Sequence, residues 1–335
     1  MKKNISDLAQ ELAIILKKQP RRSFSPGNLA YQLHTDLNTL EKSMIELKNW
    51  GYNLAVKGSK GIRLNEPPDL LLPMEIEPFL RTKIMGKEIH CFQKLGSTNQ
   101  VAFRLAESGA PEGTLVLAEK QTAGRGRLSR KWFSPPQLGI WLSLILRPRI
   151  PLAWVPALSL CACLACVRAT NRFTNKKPAI KWPNDAYLNG KKFSGVLTEL
   201  SAELDRVNFV VLGIGINVNH SSREFPGYLR KNATSLRIEA KKRIDRVSFL
   251  HKFLEEFESI YEEYKYSGLE KFKLEVSKNS YLLNKKVEVE IGDQKILGKA
   301  IDIDDYGALI LDTKTGLKTI TAGDVSVLPA KPWRL

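Results

Sequence analysis

Residues 121–136 read QTAGRGRLSRKWFSPP. Gly124 and Gly126 alternate with arginines, and Arg125, Arg127, Arg130 and Lys131 lead into the aromatic pair Trp132-Phe133. Glycine has no Cβ, so a ligand can lie against the backbone at 124 and 126, and the amides can point at an anion. The arginines add planar donors suited to carboxylate and phosphate. Trp132 can stack on a purine or simply pack. Read alone, the stretch is equally a basic loop that is only solvated or that binds nucleic acid. No G-x-x-x-x-G-K-[ST] occurs in the chain, so it is not a P-loop. No G-x-G-x-x-G opens a βαβ unit either: in GIGINVN (213–219), Asn217 stands where a dinucleotide fold would continue its helix. A nucleotide site here is of another kind.

Outward from the loop, strand-like runs alternate with helical ones. TLVLAEKQ, GIWLSLILRP, AIKWPNDAYLN, KKFSGVLTELS and VNFVVLGIGINVN predict an α/β (α+β) domain on a mixed sheet over 81–275. Beyond it, KKVEVEI, KILGKAIDID, GALILDT and LKTITAGDVSVL are short strands with Gly and Asp turns, which predict a small β-barrel over 282–330. On the N-terminal side, NEPPDLLLP lies in a Pro-rich linker placed at 66–80. Residues 1–65 show three helical patterns. Ile5, Leu8, Leu12 and Ile15 mark the first, Ser25-Pro26 starts the second, and Leu37, Leu40, Met44, Ile45 and Leu47 share one side of the third. YNLAVKGSKGIRL then reads as a hairpin. This is the pattern of a winged helix-turn-helix. Its eleven Lys/Arg against five Asp/Glu make it net +6.

A chain of 335 residues suggests two or three domains. Its 43% hydrophobic and 26% charged content are those of a globular protein. Net charge +17 suits polyanions, whether nucleic acid or phosphorylated ligands. No run of 18 or more uncharged apolar residues appears, so no membrane span is expected. Asp7 and Glu11 interrupt any N-terminal apolar run and no cleavage site follows, which predicts a cytoplasmic protein. Cys161, Cys163 and Cys166 in ALSLCACLACVRA read as small core residues of a buried helix, because the histidines that a metal site would want are scattered.

Other polar residues carry two readings each. Pro183-Asn184-Asp185 in AIKWPNDAY is a turn or a functional loop. Ser97-Thr98-Asn99 opens a helix, as a cap or as part of a pocket. Lys191-Lys192 is a solvated pair or a cationic site.

Taken together, STNQ (97–100), QTAGRGRLSRKWFSP, KWPNDAYL (181–188), KKFSGVLTEL (191–200) and GIGINVN resemble the biotin protein ligases, in the family's order. Both flanking segments extend the resemblance to the longer, bifunctional kind that also represses the biotin operon. The resemblance implies a central catalytic domain, an N-terminal winged helix and a C-terminal SH3-like barrel. Implied too is a two-step reaction: biotin and Mg-ATP give biotinyl-5′-adenylate, and a lysine of the biotin carboxyl carrier protein of acetyl-CoA carboxylase attacks it. ATP, Mg²⁺ and biotin are therefore the expected ligands. Ser97, Thr98, Asn99 and Gln121 would line the biotin pocket, with Gly124, Arg125, Gly126 and Arg127 as the loop over it. Gly195, Leu197, Gly213 and Gly215 would form its wall. Lys192 would hold the carboxylate and then the phosphate, and Arg130, Trp132 and Asn217 would hold the nucleotide. Lys181 and Asp185 are assigned to the reacting phosphate and to Mg²⁺ or the acceptor amine.

For operator DNA the candidates are Asn38, Thr39, Lys42, Lys57 and Lys60, opposed by the acids Asp36 and Glu41. The resemblance also implies a homodimer once the adenylate is bound. Ser129 stands where many relatives have glycine, which would stiffen the loop. Two alternatives stand beside this reading: a sensor-repressor without ligase activity, and an acyl ligase for lipoate or octanoate, which shares the central fold but over which GRGR…RKW and KWPND favour biotin.

Overall fold

The computed structural model describes residues 6–19, 22–56, 61–65, 69–204 and 206–328. The chain divides into two compact units, 1–78 and 79–335.

In the first unit, α1 (Asp7–Lys18), α2 (Pro26–Gln32) and α3 (Leu37–Asn49) each start at a side-chain cap. Ser6, Ser25 and Asp36 accept from the amides of Ala9, Asn28 and Thr39, satisfying donors that the first turn leaves open. The buried face of α1 is Ala9, Leu12, Ala13 and Leu16, so the stripe lies one position away from the expected Leu8 and Ile15. On α3, Leu40, Met44 and Leu47 are buried as expected, but Leu37 and Ile45 are more than half exposed. A 3.6-residue period cannot keep all five on one face. β1 (Leu54–Val56) and β2 (Ile62–Leu64) pair antiparallel, and Phe24 bridges Ile62. The stretch read as a linker is packed instead: Leu70, Leu71, Leu72, Met74 and Ile76 are buried, and α4 (Pro73–Ile76) lies on α1. Buried Glu75 ties it down, accepting from Tyr52 at 2.5 Å and pairing with Lys17. Proline before an apolar run set a helix start here rather than a spacer.

The second unit is built on a seven-stranded mixed sheet. Its strands are β3 (Ile89–Phe92), β4 (Leu115–Ala118), β5 (Gly139–Leu146), β6 (Pro178–Lys181), β7 (Asp185–Leu188), β8 (Lys191–Glu203) and β9 (Arg206–Asn217). They lie in the order β3-β4-β5-β9-β8-β7-β6, parallel between β3 and β4 and antiparallel elsewhere. β5 is buried along its whole length, as a strand covered on both faces must be. Helix α5 (Thr98–Glu107) packs on β4, β5 and β9, and α6 (Leu158–Thr170) packs on β6, β7 and β8. The segment Leu152–Thr170 is long and apolar enough to cross a membrane by length and composition, yet 72% of that window is buried in this fold. Its three cysteines are fully buried, as the small-core reading requires. α7 (Leu236–Ala240), α8 (Arg246–Ser267) and α9 (Glu270–Lys278) follow β9, and α8 packs on α6.

At the C-terminus, β10 (Lys286–Ile291), β11 (Gln294–Ile303), β12 (Leu309–Thr313), β13 (Gly316–Ile320) and β14 (Asp324–Val327) make an antiparallel sheet in the order β13-β12-β11-β10-β14. Trp182, between β6 and β7, donates its indole N–H to Gly307 O of this sheet at 2.7 Å.

Candidate functional site

The alternation of side chains along β8 divides its neighbours between two faces. Ser194 faces α6, with its hydroxyl 3.6 Å from Cys166 Sγ. Gly195 and Leu197, one and three positions on, face a cavity of about 240 Å³. Gly213 and Gly215 on β9 line the same cavity, together with Ser97, Thr98, Asn99, Gln121, Arg125, Gly126, Arg127, Arg130, Trp132, Asp185 and Lys192. Thus most of the candidates, scattered over more than a hundred positions, meet at one place.

Its polar wall is a connected network at the start of α5. Ser97 has the extended backbone of a cap, but its side chain makes no capping bond. Gln121 Oε1 accepts from the Thr98 amide at 2.8 Å, and Gln121 Nε2 donates to Ser134 Oγ at 3.0 Å. Ser143 Oγ lies 2.8 Å from Thr98 Oγ1 and 2.5 Å from Asn99 Oδ1. Glu199 accepts from Asn99 Nδ2 at 2.7 Å.

Two of the wall glycines leave room for the protein's own side chains. A Cβ on Gly213 would overlap the Asn99 amide, and one on Gly215 would overlap the Trp132 indole. The Trp132 ring meets that of Trp141 edge-on, with centroids 6.5 Å apart. Its indole nitrogen is buried with no hydrogen-bond partner among the described residues.

The basic loop is a short hairpin: Trp132 donates its amide to Gly124 O at 2.9 Å, and Gly126 to Arg130 O at 2.8 Å. Gly124 is therefore committed to its own hairpin, where a Cβ would crowd Trp132 O and Ser134 Oγ, and it does not line the cavity. A Cβ on Gly126 would meet only Arg130 O, at an ordinary contact distance of 3.7 Å. Leu128 and Ser129 both take left-handed backbone (φ 53° and 57°), a conformation that favours glycine. Arg127 donates to Asn184 Oδ1 at 3.3 Å and to Gly323 O at 3.4 Å. Arg130, assigned to phosphate, is ion-paired with Asp324, so both arginines reach the C-terminal sheet.

Lys192 Nζ stands 2.6 Å from Asp185 Oδ1 and 5.1 Å from the Trp132 ring centroid. Lys181 is paired with Asp185 in the β6–β7 register but does not line the cavity. Burial lowers its pKa, and the nearby Asp185 carboxylate opposes that. Asn217 also lies off this cavity. It lines an adjoining one of about 130 Å³ with Trp132, Phe133, Lys192, Phe225 and Ala233. Trp132 and Lys192 border both spaces.

On α3, Asn38 and Lys42 are exposed and Thr39 is half-buried, bonded to Asp36 through its amide and hydroxyl. Lys57 and Lys60 lie outside the described residues. Among the described residues no three His, Cys, Asp or Glu side chains cluster as metal ligands.

Sequence reasoning passed over Ser143, Glu199 and Asp324. Ser143 carries a faint signal, as the lone hydroxyl in GIWLSLIL. Asp324 carries none, since only the fold brings it to Arg130.

Comparison with known proteins agrees with this geometry. The family model of the biotin/lipoate A/B protein ligase family matches residues 91–217, and that of the biotin protein ligase C-terminal domain matches 282–328. The bifunctional ligase/repressor BirA of Bacillus subtilis is 39% identical over 96% of this chain and 99% of its own length. The biotin--[acetyl-CoA-carboxylase] ligase of Mycobacterium tuberculosis is 33% identical over 77% of this chain and 97% of its own. The biotin protein ligase from Aquifex aeolicus, solved in complex with biotin and ATP, superposes with a TM-score of 0.63 at 33% identity, covering 73% of this chain and all of that one. Matched almost end to end by such relatives, the chain belongs to the biotin protein ligase family, in its bifunctional ligase/repressor form.

Proposed function

We infer that the protein activates biotin with ATP, transfers it to a lysine of a carrier protein, and represses transcription at operator DNA. One observation carries the ligase reading: a single cavity joins the Ser97–Thr98–Asn99–Gln121 wall to Lys192 and the basic loop, in a chain similar throughout to a ligase/repressor. In the first step a biotin carboxylate oxygen attacks the α-phosphorus of ATP, an O–P bond forms, and pyrophosphate leaves. Two anions must meet, so fixed cations are needed there. Lys192, which borders both cavities, supplies one, and Arg125 and Arg127, which line the first, supply others.

The polar wall takes the ureido ring. Trp132 and Asn217, at the adjoining space, take the adenine and ribose side. Arg130 becomes available to phosphate when it leaves Asp324. Lys181 adds positive charge behind Asp185. In the second step the carrier lysine's amine attacks the acyl carbon and AMP leaves. Asp185 is the carboxylate placed to orient that amine and take its proton. Asp185 and Asp324, the carboxylates that line the cavity, would hold Mg²⁺ together with the ATP phosphates, and the ion would neutralise part of the phosphate charge.

The first unit, with three capped helices and a two-stranded sheet, supports a winged helix-turn-helix that reads the operator through α3. The C-terminal antiparallel sheet supports the SH3-like barrel. The proposed domains are 1–65, 81–275 and 282–330. The carrier is that of acetyl-CoA carboxylase, and adenylate-bound protein dimerises on DNA.

The test is mass spectrometry of a biotin carrier domain incubated with the protein, biotin, ATP and Mg²⁺. A biotin-sized gain is expected with the wild type and a loss of at least about a hundredfold in rate with Lys192→Ala. Tight biotin binding with no gain in mass would leave a sensor-repressor.

A further inference from the structure

Residues 79–335 carry 41 Lys/Arg against 26 Asp/Glu, a net +15, whereas residues 1–78 carry 11 against 9, a net +2. The unit proposed to read DNA is thus nearly neutral, and the charge that favours polyanions sits on the ligase. Part of it is gathered in a shallow groove of about 350 Å³, none of whose residues lines the cavities described above. We propose that this groove is a second DNA contact, which takes backbone phosphates of the duplex that the first unit holds. This rests on the first unit being a DNA reader.

Three segments build the groove. Ser248, His251, Lys252 and Glu255 recur at three- and four-residue spacing on α8, so they share one face. Phe79 and Arg81 come from the strap that opens the second unit. Glu258 of α8 ties that strap down, accepting from the amides of Lys83, Ile84 and Met85 at 2.6, 3.1 and 3.0 Å. Arg172 follows α6, and its neighbour Phe173 packs on Phe249 with ring centroids 5.2 Å apart. The frame is fixed, while Arg81 and Arg172 are exposed. Glu255 is the one carboxylate on the walls, and Lys252 shares it at 3.5 Å. Lys252 also reaches Glu256 at 2.6 Å, so its charge is answered within α8. Arg81 and Arg172 are then the cations that the walls leave for a ligand. Their guanidinium forks match phosphate oxygens, and the Ser248 hydroxyl adds a donor. Phe79, 68% exposed, offers an apolar face to deoxyribose. Exposed Lys83, Lys176 and Lys177 continue the two arginine-bearing segments. An acidic protein would meet the same charges, but DNA has the chain itself to present it. Phe79 directly follows Pro78, the last residue of the first unit, so duplex held there is at high effective concentration for the groove.

The test is fluorescence anisotropy of the full chain on a labelled random-sequence duplex of about 40 bp, titrated between roughly 50 and 200 mM salt. Arg81→Ala/Arg172→Ala is compared with Lys299→Ala/Lys318→Ala, which removes the same charge from exposed positions of the C-terminal sheet. The groove variant should bind about tenfold more weakly at low salt and flatten the slope of log K against log salt by about 2, since each phosphate contact contributes roughly 0.9. The C-terminal variant should match the wild type in both. Carrier biotinylation and melting temperature should be unchanged in both variants. A wild-type slope in the groove variant overturns the proposal, and so does an equal loss in the C-terminal variant, which would mean diffuse charge. Unaltered DNA binding with a salt-dependent fall in carrier biotinylation by the groove variant overturns it in favour of an acidic protein. Wild-type protein that binds no duplex removes the DNA-reading role of the first unit as well, whereas a binding wild type with an indifferent groove variant removes only this contact.

Discussion

Gly213 and Gly215 sit on β9 where Asn99 and Trp132 lie against the strand, and neither space accepts a methyl group. Overpacking of this kind costs about 1–3 kcal/mol, so Gly215→Ala should weaken biotin binding by roughly 5- to 150-fold. Titration calorimetry measures that directly, and an unchanged affinity would show that Trp132 moves aside freely. A second residue-scale prediction concerns His220, fully buried between Phe225, at 4.7 Å and stacked, and Trp141. Neither ring nitrogen has a partner among the described residues. Burial drives its pKa from 6.5 to about 4, with Glu224 opposing. The fold thus holds the neutral ring and the unfolded chain binds the extra proton. Stability is complete above pH 6.5 and declines as pH falls toward about 4, by an amount on the order of 3 kcal/mol. Melting curves of His220→Phe should be flatter with pH across that window than those of the wild type.

Helix α3 shows how one acid can serve the fold while opposing a partner. Asp36 caps the helix through Thr39, and those hydrogen bonds hold its carboxyl below the usual range. The same charge stands at the end of the helix proposed to meet DNA phosphates. Asp36→Asn retains a capping side chain and removes the charge. Operator binding should tighten, most clearly at low salt, with helix content unchanged; gel-shift titration and circular dichroism check the two halves. This is also the scale at which the sequence was most legible. Caps, glycine stops and strand alternation located α1, α2, α3, α5 and most of the strands, because those signals are local, whereas β3 and the helices α4, α7, α8 and α9 were not singled out. What they could not show was which side of a helix the rest of the chain would cover. Leu37 and Ile45 are apolar yet exposed, and Leu70 to Ile76 read as a spacer yet are buried. Burial depends on neighbours that arrive from elsewhere in the chain.

Across the whole second unit, the site is assembled from segments that are distant in sequence and gathered by β8 and β9. The motifs named most of its members, since their spacing survives folding. Asp324 was invisible and Ser143 only faintly marked, because their roles are tertiary. Asp324 closes the molecule-wide contact in which the C-terminal sheet holds Arg130, while Gly323 O receives Arg127. Arg130 is 68% exposed, so the ion pair contributes about 1 kcal/mol or less to global stability. Asp324→Asn should leave the melting temperature nearly unchanged yet hasten trypsin cleavage within the basic loop in ligand-free protein. Equal cleavage rates would mean that the loop does not depend on the C-terminal sheet.

One feature of α6 bears on how such motions can be watched. All four cysteines are buried, and desolvation pushes the thiol pKa of Cys161 and Cys163 upward and that of Cys166 to about 12. Thiolates are thereby suppressed and shielded, so the folded chain is nearly silent to maleimides and iodoacetamide. A single cysteine introduced on the basic loop could then carry a fluorophore with every native thiol left in place, and slow labelling of the native four would report only molecules that have opened their core.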